Sequence, residues 1–183
     1  MNRLICFFGC SACGKETLIK HIYNGYNSEL NSSLGIDLNK TIILKKSIEY
    51  ISKHSNDNIT EKRFEIINDI TSICSENSDL IILMKGQNSD IRNNFIQIIN
   101  NKINNICIDL VYVTADIEVL LDRIKTKDWY DVSRGNKQFL ESIDRSLEYM
   151  NLFKDYNITY VYSRPNYEYE IVSNNEKFLS KGR

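Results

Sequence analysis

Residues 9–17 read Gly9-Cys10-Ser11-Ala12-Cys13-Gly14-Lys15-Glu16-Thr17 and follow directly on an apolar run, residues 4–8. They lead at once into a segment with Leu18, Ile19 and Ile22 at helical spacing. A strand, a glycine-flanked loop ending in lysine, then a helix: this order constrains the chain more than any other feature. The glycines let the backbone curl tightly, so that successive N–H groups converge on phosphate oxygens. The helix start adds the positive end of its dipole, and Lys15 adds a mobile point charge for terminal phosphates. All nine residues of the loop are therefore candidate phosphate-binding positions.

The rest of the chain alternates in the same manner. Strand-like runs rich in Ile, Leu, Val, Phe and Tyr occupy residues 4–8, 41–44, 80–84, 109–114 and 157–162. Each is short enough to be a buried strand of a parallel sheet. Helical patterns lie between them, at residues 16–23, 60–76, 89–103, 116–124 and 137–153. Alternating β and α segments predict an α/β fold with right-handed crossovers and ligands at the carboxyl ends of the strands. The polar stretches 24–40 and 52–58 read as surface excursions. With 183 residues, 42% hydrophobic and 26% charged, the chain is one ordinary domain, and global disorder is excluded. With 23 basic against 24 acidic residues, bulk charge gives no argument for non-specific nucleic-acid binding.

The spacing Gly-x-x-x-x-Gly-Lys is the P-loop. In its general form a Ser or Thr follows the lysine; here Glu16 does, and Thr17 comes one place later. In this the chain resembles the nucleoside monophosphate kinase family, whose adenylate-kinase-type members carry Gly-Lys-x-Thr. The resemblance implies a three-layer sandwich of the P-loop kinase type, with a five-stranded parallel sheet and a short helical lid near residues 125–137. The domain would span residues 1–172, followed by a tail, residues 173–183. It further implies ATP and Mg²⁺ as cofactors, with the Thr17 hydroxyl toward the metal.

The family pattern also assigns roles elsewhere. Where its members read Asp-Gly-(aromatic)-Pro-Arg, this chain reads Lys85-Gly86-Gln87-Asn88-Ser89-Asp90. Lys85 inverts the charge of the Asp, which repels Mg²⁺ but attracts a phosphate. Gln87 and Asn88 can donate and accept hydrogen bonds to a base edge or hydroxyl. Asp90 restores the carboxylate or, with Ser89, caps the following helix. Arg123 and Lys127 match the basic pair that flanks the transferring phosphate, and Arg145 matches a further arginine of the family. Such cations suit phosphoryl transfer, in which charge gathers on the equatorial oxygens. The alternative is that Arg123, Lys125, Lys127, Arg134 and Arg145 form a solvated face. Trp129 stacks on a base or packs the lid. Arg63 and Asp37 fall where the acceptor is expected, and Asp37 or Glu49 is the candidate base. Arg164, after the fifth strand, stacks on adenine or stays exposed.

Cys10 and Cys13 form a Cys-x-x-Cys inside the loop. They read as small-residue filler, against a redox pair or half a zinc site; His21 and His54 are isolated and complete no metal site. The five scattered cysteines suit a reducing, cytoplasmic setting. The five apolar residues after Arg3 are fewer than the roughly 7–15 of a signal sequence, and no run approaches the roughly 20 of a membrane span. Three functions follow as expectations. The first is transfer of the γ-phosphate of ATP to a nucleotide-like acceptor. The second is phosphorylation of a hydroxyl on a modified base or sugar, with DNA or a polynucleotide as the bearer. The third is a non-catalytic nucleotide sensor.

Overall fold

The computed structural model describes residues 2–43, 65, 67–73, 79–83, 89–127, 136–137, 139–141, 143–144, 153 and 155–172. The elements are β1 (Asn2–Phe8), α1 (Lys15–Tyr23), α2 (Ser28–Ser33), β2 (Thr41–Ile43), β3 (Asp79–Leu83) and α3 (Ser89–Lys102). They continue with β4 (Ile106–Thr114), α4 (Ile117–Lys125), β5 (Asn157–Ser163) and β6 (Tyr169–Val172). Residues 67–73, 139–141 and 143–144 are also helical.

One sheet joins all the strands in the order β2-β3-β1-β4-β5-β6. β1 is central: Leu4 lies opposite Leu80 and Ile108, and Phe7 opposite Leu83 and Val111. The pairings from β2 to β5 are parallel, whereas β6 returns antiparallel along β5. The expected five parallel strands are therefore present, and the sheet has six strands rather than five. The sixth arises from a hairpin whose turn, closed by Arg164 N–H on the Glu168 carbonyl at 2.8 Å, carries Tyr167 at φ 62°. A strand so close in sequence to its neighbour has too short a connection for a parallel crossover, so it must turn back.

Both faces of the sheet are covered, which is why its central strands are apolar on both sides. From β1, Leu4, Cys6 and Phe8 enter one core with Ile96 and Ile99 of α3 and with Ile67 and Ile70. Ile5 and Phe7 enter the other, with Leu18 and Ile22 of α1, Leu30, and Leu120 and Ile124 of α4. These are the three layers. The stretch 24–40 departs from the expectation of a surface excursion. It contains α2, capped by Asn27 accepting from Leu30 N–H at 2.9 Å, and Leu30, Leu34 and Ile36 are buried. Arg3 ties this segment to the amino-terminal edge of the sheet, donating to the Leu34 and Gly35 carbonyls while its Nε meets Asp109 at 2.8 Å. Among the described residues no helix is long and apolar enough to cross a membrane.

Candidate phosphate-binding site

The loop of residues 9–14 springs from the carboxyl end of β1, between its neighbours β3 and β4. Gly9 (φ 145°) passes so close to β4 that a Cβ there would lie 2.2 Å from the Val113 carbonyl oxygen. Gly9→Ala is therefore expected to cost about 3 kcal/mol of stability, from strain and overpacking together, as read in a urea unfolding curve. Residues 11 and 12 form a turn, with Ala12 at φ 63°, and Gly14 (φ 94°) caps α1 in the left-handed conformation. The first hydrogen bond along α1 runs from Leu18 N–H to the Gly14 carbonyl, so the amides of Lys15, Glu16 and Thr17 lie ahead of the helix ladder. Lys15 bends back over the loop, its Nζ donating to the Cys10 carbonyl at 2.8 Å and reaching Cys13 Sγ at 3.9 Å.

The loop rests on the β5–β6 hairpin. Arg123 of α4 is 8% exposed, and its guanidinium spans the two. Nη1 donates to Ser163 Oγ at 3.1 Å and to the Ala12 carbonyl at 3.4 Å. Nη2 donates to the carbonyls of Arg164 and Pro165, and the group stacks 3.9 Å from the centre of the Tyr167 ring. Among the described residues its buried Nε has no hydrogen-bond partner. The Tyr169 hydroxyl, pushed above its ordinary range first by burial, donates to the Gly14 carbonyl at 2.9 Å. Ser163 Oγ, the Tyr169 hydroxyl and Arg123 Nη1 all gather beside Gly14. Arg123, Ser163 and Tyr169 thus form one polar chain ending on the residue that caps α1.

The thiols respond to this charge. Burial pushes the Cys13 thiol up, but the hydrogen bond with Cys10 and the charges of Lys15 and Arg123 outweigh it and bring it down to about 6. Its partner Cys10 is held well above its ordinary value, first by that same hydrogen bond and then by burial.

Gly9, Cys10, Ser11, Ala12, Cys13, Gly14, Lys15, Glu16, Thr17, Arg123 and the Arg164 backbone are brought together. Glu16 points outward and is exposed. The Arg164 side chain pairs with Glu170 of β6 at 2.8 Å. Lys127 lies exposed just past α4. Asp37 is not brought to the loop: it precedes β2, at the amino-terminal end of the parallel strands, whereas the loop leaves the carboxyl end of β1, and it lies 3.9 Å from Lys40. Lys85, Gln87, Asn88, Arg63, Arg145, Glu49, Trp129 and Arg134 lie outside the described residues, as do the tail 173–183 and residues 128–135 of the lid. Sequence reasoning missed Tyr167 and Tyr169. The signal was available in the alternation Tyr167-Glu168-Tyr169-Glu170-Ile171 after a turn-forming Arg164-Pro165-Asn166, which is the pattern of a hairpin strand.

No family model matches the sequence, and no curated protein does. Among solved structures, the chain is similar to one from the PezAT chromosomal toxin–antitoxin system of Streptococcus pneumoniae. That match has a TM-score of 0.56 and 10% identity, over 100% of this chain and 74% of that one. It is also similar to a sugar kinase from Janibacter sp. HTCC2649, with a TM-score of 0.51 and 16% identity, over 91% of this chain and 89% of that one. A deoxyadenosine kinase from M. mycoides matches with a TM-score of 0.44 and 15% identity, over 90% of this chain and 92% of that one. The fold is that of the P-loop kinases.

Proposed function

We propose that the protein is an ATP-dependent phosphotransferase that passes a γ-phosphate to a nucleotide-like acceptor. The observation that carries this reading is the loop itself. Its lysine folds back over the loop ahead of a helix start while a buried arginine holds the loop from beneath, and no carboxylate is within ion-pair distance of either among the described residues. Cys13, drawn toward its thiolate by these two charges, offsets them only in part, and the remaining positive charge favours a bound polyphosphate.

The residues fit such a ligand. The loop amides and the α1 N-terminus would hold the phosphate chain, Lys15 would swing from the Cys10 carbonyl to the terminal phosphates, and Thr17 would offer its hydroxyl toward Mg²⁺. ATP with Mg²⁺ supplies an activated phosphoryl group whose charge is partly neutralised. Arg123 holds the loop in register and adds its charge from beneath. Lys127 and Arg145 remain the proposed cations over the transferring group, with Lys85, Gln87, Asn88 and Arg63 on the acceptor. A second reading, a hydroxyl acceptor on a sugar or a modified base, draws support from the similarity to a sugar kinase.

Labelled ATP and Mg²⁺, incubated with nucleoside monophosphates, nucleosides, free sugars and hydroxymethylated DNA, tests both. Label in a monophosphate is the expected result. Label confined to a sugar or to DNA moves the assignment to the second reading. Tight ATP binding with every acceptor unlabelled favours the sensor, and no binding of any triphosphate overturns the site.

A further inference from the structure

We propose that Cys10 and Cys13 are a modification site: a small hydroperoxide converts them to a disulfide across the turn of the phosphate loop, and thiol reductants reopen it. The two residues flank the turn at Ser11 and Ala12, as its first and fourth positions. Turn ends lie within about 7 Å between Cα atoms, the span a disulfide bridges at roughly 4.4–6.8 Å. The Lys15 ammonium meets both residues, the Cys10 carbonyl at 2.8 Å and the Cys13 sulfur at 3.9 Å. The pairing is also selective. Cys10 and Cys13 share one core of the sheet, whereas Cys6 faces the other, so the sheet itself separates them. Burial raises the thiols of Cys6 and Cys107, Asp109 adding to it in both, so neither competes as a nucleophile.

Cys13 faces Cys10, Lys15, Arg123 and the Tyr169 hydroxyl, two cations and two neutral groups. In that setting its thiolate is the natural attacking species. The thiolate sulfur bonds the distal peroxide oxygen, the O–O bond breaks, and the departing hydroxide takes a proton to become water. The Cys10 sulfur then attacks the resulting Cys13 sulfenic acid. The S–S bond forms, the S–O bond breaks, and the leaving hydroxide takes the Cys10 proton. Two thiols and one peroxide give a disulfide and two waters. Cys10 and Cys13 are only 4% and 0% exposed, which excludes a bulky disulfide such as oxidised glutathione as the oxidant.

The consequence rests on the reading of the loop as a triphosphate site. Closing the disulfide pins the turn whose Cys10 carbonyl holds Lys15. The loop then cannot present its amides to a phosphate chain, and triphosphate affinity falls at least about tenfold.

The test treats the reduced full-length chain with hydrogen peroxide, blocks residual thiols with N-ethylmaleimide after denaturation, and locates linkages by tandem mass spectrometry. Binding of ATP with Mg²⁺ is measured in parallel. Expected are a Cys10–Cys13 linkage with Cys6 alkylated, lost binding, and recovery of both with dithiothreitol. The rate of peroxide trapping should rise through pH 6 and level off by neutrality. Replacement of the resolving thiol, Cys10→Ser, should instead drive Cys13 to sulfinic acid that dithiothreitol does not reverse. Alkylation of both cysteines, a linkage to Cys6, or dithiothreitol recovery in Cys10→Ser overturns the proposal. A mapped disulfide with unaltered affinity overturns its control of binding. If the reduced protein binds no triphosphate, the functional reading falls, and the linkage map alone decides the modification site.

Discussion

Lys15→Ala is expected to lower triphosphate affinity and phosphoryl transfer by roughly 100-fold or more while leaving the fold intact. Lys15 is the first residue of α1, half-buried, and the hydrogen bond to the Cys10 carbonyl is the only short contact its ammonium makes among the described residues. Losing one such bond costs on the order of 1 kcal/mol of stability. Alanine is the best helix former, which offsets part of that. Binding is different in scale. A cation placed where phosphate charge develops, in a loop shielded from water, typically contributes several kcal/mol, and each 1.4 kcal/mol is about tenfold. Lys15→Arg is not expected to rescue, because a planar fork cannot fill a position shaped for a compact ammonium. Calorimetry with ATP and Mg²⁺ and a thermal unfolding curve on the same sample separate the two effects. Unchanged turnover in Lys15→Ala would overturn the assignment of the loop.

Most of the parallel sheet was legible in the sequence because a strand buried on both faces leaves little choice of residue. The expected runs 4–8, 109–114 and 157–162 lie inside β1, β4 and β5, and the differences are a few residues at the ends. What periodicity missed was short. α2 has six residues and one buried apolar side chain, Leu30, too few to show a helical stripe; Leu34 and Ile36 are buried only after it ends. β6 was missed for another reason. It is four residues long, and Glu170 interrupts its apolar run, so it is too short and too broken to read as a continuous apolar strand.

The loop was legible because its chemistry is written in contiguous residues. The support beneath it was not, since Arg123, Ser163, Tyr167 and Tyr169 come from two segments some forty residues apart and meet only through the sheet order. Cys10 and Cys13 show the same limit. Their spacing was visible, but the effect of Lys15 and Arg123 on Cys13 depends on a back-folded lysine and a buried arginine that no local pattern reveals.

Arg123→Ala is expected to cost about 2–4 kcal/mol of stability and also to weaken triphosphate binding at least about tenfold. The stability loss follows from what the guanidinium satisfies. It serves Ser163 and three backbone carbonyls, on Ala12, Arg164 and Pro165, and covers the Tyr167 ring. Truncation leaves buried acceptors unpaired and a cavity under the loop. The binding loss follows from geometry and charge together: Ala12 loses its anchor, and the loop loses a positive charge screened by little water. Arg123→Lys separates these contributions. An ammonium on a single stem keeps the charge but cannot reach the loop carbonyl and the hairpin carbonyls at once. The lysine variant should therefore recover part of the affinity while its urea midpoint stays near that of Arg123→Ala. Tyr169→Phe supplies the complementary measurement, because it removes the hydroxyl on the Gly14 carbonyl without altering charge. Arg123 and Tyr169 join through Ser163, so a double-mutant cycle should show a coupling of about 0.5 kcal/mol or more in stability. Strict additivity would mean that the guanidinium and the phenol support the loop independently, and the polar chain between them would lose its role.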